Sequence, residues 1–273
     1  MYNSRYARNN EVLDDNALMQ LSPSVFASTP HHAMSERYGF IPTIDVVKGL
    51  RQEGWQPFYA REQLVRIDDR RGFTKHIVRF RHPSVTISTV GDTLPELVLL
   101  NSHDGSSAYQ MHAGLLRLVC LNGLMVSDTT FSRICVRHTG DVVGRVIDGA
   151  CTVVRDMPQI AAHIGEMRRT ILTPSERVAF ASSALLLKYD SAEASPVVSE
   201  QLLRTRRYAD NAPDLWTTFN VVQENLIRGG LLGRSSTGRR LRTREVKSIN
   251  EDTRINKALW QLTERVCETK EAA

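Results

Sequence analysis

The stretch ELVLLNSHDGSSAYQMHAGLLRLVCLNG, residues 96–123, decides the fold. Leu97–Leu100 is an unbroken apolar run, the pattern of a strand buried on both faces and central in its sheet. Asp104-Gly105 follows as a turn pivot: Asp bonds its own backbone, and Gly reaches positive φ without strain. Ala108–His112 is then expected to return as a second strand. Leu115–Leu121 reads as a short helix stopped by Asn122-Gly123, since glycine after a last helical turn is a common terminator.

Upstream, Trp55–Ile67 and Phe73–Arg81 read as strands joined by the turn Asp68–Gly72. In the second of them Ile77 and Arg79 share one side, Val78 and Phe80 the other, so neither face is cleanly polar. Before them Ile44, Val47 and Leu50 recur at three-residue spacing, predicting a helix over Ile44–Glu53 with an N-cap at Pro42-Thr43 and closure at Gly54. Asp14-Asp15-Asn16 opens a short helix that Ser22-Pro23 stops. Downstream, Arg133–His138 alternates as another strand. The period then turns helical over Val142–Ile171, with Pro158 expected to kink or divide it. Thr173-Pro174-Ser175-Glu176 is a capping box opening a helix to about Tyr189. Ser199–Arg204, Asp214–Arg228 and Asp252–Glu268 complete the helical series.

Strands first and helices after predict an α+β fold: an N-terminal antiparallel or mixed sheet with short helices, followed by a helical C-terminal half. The expected division is a weakly ordered segment 1–34, a sheet region 35–140 and a helical region 141–273 carrying a basic loop 228–247, all in one globular unit.

The chain has 273 residues and a formal charge of +5, so the distribution of charge matters more than its sum. No run of about 18 apolar residues predicts a membrane span. The first ten residues, MYNSRYARNN, lack an apolar core, so no secretory signal and a cytoplasmic location are expected. Cys120, Cys135, Cys151 and Cys267 contain no C-x-x-C pair, which excludes zinc-ribbon and thioredoxin-like chemistry.

Polar side chains crowd the end of the central strand. Ser102, His103 and Asp104 suggest a hydrolase triad, but consecutive side chains splay apart, and no G-x-S-x-G elbow exists. His103 and Asp104, completed by His112, His138 or Asp141, have the chemistry of a divalent-metal phosphoesterase. The plainer reading has Asp104 capping its own turn, with no resident metal or cofactor. Cys120 stands three residues after Arg117, which on a helix would lower its thiol pKa; within Leu-Val-Cys-Leu it reads instead as core. His103, Asp104, His112 and Cys120 are thus the catalytic candidates, none with a complete constellation.

Two segments carry the cations. Between Arg228 and Lys247 stand Arg234, Arg239, Arg240, Arg242 and Arg244, with Glu245 as the one acid among glycines and hydroxyl residues. Such a loop suits phosphate oxygens, which arginine forks pair well. The first hairpin carries Arg61, Arg66, Arg70, Arg71, Lys75, His76, Arg79, Arg81 and His82 beside Phe58, Tyr59, Phe73 and Phe80. Cations beside aromatics on strands are what single-strand binders use. The alternative is a hairpin whose aromatics are core and whose cations are its wet face.

The chain resembles the YfjQ/YafZ prophage and plasmid family, domain of unknown function 932. The resemblance runs through Ser35–Tyr38, Ile41–Ile44, Gly54–Phe58, Leu99–Ser107, Gln110-Met111 and Gly140–Gly144, then Asp214–Thr218, Gln223–Asn225 and Arg254–Trp260. Its signature residues are Asn101, Ser102, His103, Asp104, Gly105, Arg117, Asn122 and Gly123. The resemblance implies a protein of a mobile element and supplies no catalytic residues. The expected function is accordingly nucleic-acid binding, with single-stranded DNA favoured as partner during replication or recombination. A metal-dependent phosphoesterase is the alternative, and an anti-defence protein that binds a host factor is the third reading.

Overall fold

The computed structural model describes residues 11–36, 38–65, 68–84, 93–117, 122–125, 134–136 and 142–272. The chain divides into two compact units, Met1–Pro158 and Gln159–Ala273.

The N-terminal unit opens with α1 (Asp15–Leu21), capped by the Asp14 carboxylate on the Ala17 amide, and continues into α2 (Thr43–Gln52). Six antiparallel strands follow: β1 (Gln56–Glu62), β2 (His76–Arg81), β3 (Thr93–Asn101), β4 (Tyr109–Arg117), β5 (Asn122–Met125) and β6 (Ile134–Val136). β1 to β4 form an up-and-down meander, and β5 and β6 both pair with β4. The apolar run of β3 lies between β2 and β4, buried along nearly its whole length. Gly105 takes φ +74° at the expected turn. Leu115–Leu121 departs from expectation: Leu115, Leu116 and Arg117 extend β4, and Asn122-Gly123 begins β5 instead of ending a helix. An apolar run of this length fits either element, and pairing with β3 decides for the strand.

Side chains alternate across the sheet, so cross-strand partners share a face. One face carries Val78, Leu99 and Met111 in register, flanked by Phe80, Leu97 and Ala113. His76 and Asn101 close its end. The opposite face carries Tyr59, Arg79, Val98 and His112 across four strands, with Arg61, Lys75, Arg81, Glu96 and Gln110 around them. This second face is polar in composition yet buried: Glu96 is fully covered and Arg79 is 5% exposed. The wet face expected for the hairpin is absent at these positions.

α3 (Val142–Arg169) runs unbroken through Pro158, where the two units meet in sequence. The C-terminal unit continues with α4 (Pro174–Leu185), whose Thr173–Glu176 capping box is formed as predicted, and α5 (Ser199–Leu202). It ends with α6 (Leu215–Arg228), β7 (Leu232–Arg234), β8 (Arg240–Arg242) and α7 (Ile249–Glu271). α6 is buried on all sides from Leu215 to Leu226. Trp216 stacks on Phe219 and Trp260 meets Phe219 edge-on, forming the aromatic centre of this core. Three consecutive polar side chains of α6 find partners inside: Gln223 donates to Asn256 at 2.8 Å, Asn225 donates to the Leu202 and Arg204 carbonyls, and Glu224 is paired by Arg207 and Arg228. No helix among the described residues is long and apolar enough to cross a membrane.

Candidate functional site

Two of the signature residues, Asn101 and His103, converge on one hydroxyl. Thr43, the first residue of α2, lies within hydrogen-bond distance of His76 Nε2 (2.8 Å), Asn101 Nδ2 (3.0 Å) and His103 Nε2 (3.2 Å). His76 Nδ1 donates to the Thr74 carbonyl, so its Nε2 accepts the Thr43 proton; Asn101 and His103 then donate to the Thr43 oxygen. One donor and two acceptor sites are thereby all used. Thr43 was expected to cap α2 but makes no cap, because its side chain turns into this cluster. Burial drives the His76 pKa down to about 4, against smaller upward pulls from the Thr74 carbonyl and Asp104.

Backbone bonds close the knot around it. The His103 amide donates to the Phe73 carbonyl, the His31 amide to the His103 carbonyl, and the Tyr38 hydroxyl to the Ser102 carbonyl. Asp104 Oδ1 accepts the Ser106 amide, the self-capped turn of the plainer reading, and Arg70 approaches Oδ2 at 3.9 Å. Burial raises the Tyr38 pKa and lowers that of Lys75, with Asp104 acting upward on both. His112 lies on the opposite sheet face, 3.3 Å from Gln110, and does not complete a metal set with His103 and Asp104. Cys120, His138 and Asp141 lie outside the described residues; Arg117, Asn122 and Gly123 are placed by backbone in β4 and β5. Asn101, Ser102, His103 and His76 are fully buried. The cluster ties β2, β3, α2 and the N-terminal segment together, and these groups present no surface for a substrate.

The first hairpin divides its cations. Arg79 and Arg81 grip Glu96 at 3.0 and 2.9 Å, and Lys75 is buried, so Arg79 and Lys75 do not serve as the surface phosphate contacts expected of them. Arg70 and Arg71 are exposed, Arg71 pairing with Asp68. The proposed stacking residues have internal partners: Phe58 lies under Arg81, Tyr59 near Arg79, and Phe73 edge-on to His31.

The second basic segment holds its charge outside. Expected as a flexible loop, it is a ribbon of β7 and β8, with Gly238 at φ +78° in the turn. The pairs Leu232↔Arg242 and Arg234↔Arg240 place three guanidiniums and one leucine on a single face. Arg239, Arg240 and Arg244 are exposed and pair with no acid among the described residues; Arg234 and Arg242 spend one nitrogen each on carbonyls of Gly238 and Gly230. The ribbon is anchored. The Arg234 amide donates to the Pro196 carbonyl, and Gln201 Nε2 donates to the Leu232 carbonyl. Gly233 permits this approach, since a Cβ there would lie 2.1 Å from the Pro196 oxygen. Beside the ribbon opens a cleft of about 880 Å³, lined by Leu185, Leu186, Val197, Val198 and Leu232, with Arg234 and Arg240 on its wall. Leu186, Val198 and Leu232 are each more than half exposed there. Strands of three residues carry too little period to be seen in sequence; the Leu-Gly-Arg and Arg-Leu-Arg triplets flanking Ser-Ser-Thr-Gly were the available signal.

Two relatives from Escherichia coli (strain K12) resemble this chain over nearly its whole length. UPF0380 protein YafZ is 42% identical over 257 residues, spanning 94% of this chain and 92% of YafZ. UPF0380 protein YfjQ is 41% identical with the same coverage. No solved structure matches the chain. The family described as domain of unknown function DUF932 matches residues 30–260, and with both relatives above 40% identity the chain belongs to that family.

Proposed function

We propose that the protein binds nucleic acid, single strands in preference to duplex, through the arginine ribbon of its C-terminal unit. The observation that carries this reading is the Arg234↔Arg240 pair, with Arg242 on the same face and no ion pair to a carboxylate among the described residues. Like charges directly opposite one another destabilise a β-ribbon, and a phosphate backbone relieves that repulsion. The aliphatic cleft beside the arginines supports the single-strand preference. Unpaired bases have apolar faces to place on Leu186, Val198 and Leu232, whereas a duplex keeps its bases stacked inside. In the mobile element that the family resemblance implies, such a protein would hold single strands during replication or recombination.

Fluorescence anisotropy with labelled single-stranded and duplex oligonucleotides, across a salt series, tests this. Three or four phosphate contacts give log K a slope of about −2 to −3 against log salt. Replacing Arg234, Arg239, Arg240 and Arg242 by Ala should flatten that slope and abolish binding at physiological salt. Salt-independent binding, or binding that survives the four replacements, overturns the proposal. Co-purification of a host protein that persists through nuclease treatment would favour the anti-defence reading instead.

A further inference from the structure

In the N-terminal unit, three potential metal ligands face one another. His31 and His32 are consecutive, yet a turn through His32 and Ala33 brings their rings to 4.2 Å between centroids. Asp69, from the short turn Asp68–Arg70, faces both: its Oδ2 lies 3.2 Å from His31 Nε2 and 3.6 Å from His32 Nε2. These are the three residues among those described whose donor atoms gather closely enough to hold an ion.

The spacing itself is informative. Ligands bonded at about 2.0–2.1 Å to a tetrahedral zinc ion stand roughly 3.3 Å apart. Both measured separations from the carboxylate fall within a few tenths of an ångström of that value. The cluster is also held in place. His31 is 4% exposed, its ring lies edge-on to Phe73, and its amide is bonded to the His103 carbonyl at 3.0 Å. The Phe73 carbonyl takes the His103 amide in turn, so the ring sits on the same backbone knot that ends β3. His32 and Asp69 are open to solvent, leaving an entry path and a fourth coordination position for water.

We propose that His31, His32 and Asp69 bind a divalent transition metal, with zinc suited to two imidazoles and one carboxylate. His31 Nδ1 accepts the Ala33 amide at 3.2 Å, which leaves the ring proton on Nε2, directed at Asp69. On metal capture that proton moves to Nδ1, the Ala33 contact is released, and the Nε2 lone pair takes the ion. This site lies in the N-terminal unit and stands independently of nucleic-acid binding.

The test is titration of the full chain with zinc chloride in competition with a chromophoric chelator. One equivalent should bind. His32→Ala and Asp69→Asn, both at exposed positions and tolerable to the fold, should each weaken binding by about tenfold or more, since even outer-shell changes cost that much. His163→Gln, in the C-terminal unit, should not. Cobalt substituted for zinc should give the intense visible absorption of a four-coordinate site, lost in both variants. Absence of stoichiometric uptake, or equal binding by Asp69→Asn and the unaltered chain, would show a hydrogen-bonded cluster only and overturn the proposal.

Discussion

Replacing Glu96 by Gln isolates what holds the buried polar face of the sheet. The substitution keeps the side-chain length and removes one charge from between Arg79 and Arg81. Glu96 is fully covered, and the two guanidiniums are 6% and 13% exposed, so solvent screens them little. At an effective dielectric near 20, opposite charges about 3 Å apart attract by roughly 5–6 kcal/mol. Desolvation offsets much of that, but removing one partner strands the others, and breaking a buried pair costs about 3–5 kcal/mol. For a unit of this size each kcal/mol is worth about 2–4 °C, so a fall of roughly 6–20 °C in the N-terminal unit's melting temperature is expected. Circular dichroism melts, with hydrogen exchange of the β2 and β3 amides to assign the transition, measure it. Glu96→Leu combined with Arg79→Leu and Arg81→Leu should recover most of the loss, because apolar replacement of a whole buried ion cluster is often neutral. A melt of Glu96→Gln within about 2 °C of the unaltered chain, with β3 protection unchanged, would refute the reasoning.

Other predictions follow from the same contacts. His76 titrates at about 4 when folded against 6.5 ordinarily, so the unfolded chain takes up its proton first. Stability is therefore whole above neutral pH and falls as pH drops from about 6.5 toward 4, by about 3 kcal/mol at the limit; a His76→Gln variant whose denaturant midpoints show the same pH slope would contradict this. Thr43→Val removes the shared hydroxyl from three buried partners and should cost about 2–5 kcal/mol in urea unfolding, while Thr43→Ser should keep most of it. Gly233→Ala places a Cβ against the Pro196 carbonyl and should destabilise the C-terminal unit by about 1–3 kcal/mol with weaker oligonucleotide binding. Arg240→Thr should move two readouts in opposite directions: a ribbon more stable by about 0.2–1 kcal/mol and a lower affinity for single strands.

The meander was legible because its signals are local. The apolar run Leu97–Leu100 and the Asp104-Gly105 pivot lie side by side, and pairing of β3 with β4 follows from them. The same locality misreads Asn122-Gly123, since glycine serves a helix end and the start of a strand equally well, and the strand assignment depends on pairing with β4. Charge was legible as composition but not as exposure. Arg79 and Arg240 look alike in sequence, and only Glu96, 17 residues from Arg79, draws the first beneath the surface. Thr43 reads as a cap because its true partners lie 33 to 60 residues away. His31 and His32 drew no attention for the same reason, as Asp69 is 38 residues from His31.

The reach of the Thr43 cluster bears on how the chain is made. Its hydroxyl is synthesised at the start of α2, but its last partner, His103, follows 60 residues later. At ribosomal rates of about 5–20 residues per second, that interval is roughly 3–12 s. During it, α2 is a ten-residue amphipathic helix, and helices of that length are marginal alone in water. Val46, Val47 and Leu50, fully buried in the finished fold, belong to a helix whose Thr43 end stays unanchored until the end of β3 arrives. The N-terminal unit is therefore expected to remain open on the ribosome and to close in one step as the central strand and its terminal turn emerge, which makes the nascent chain between Thr43 and His103 the stage most dependent on a chaperone.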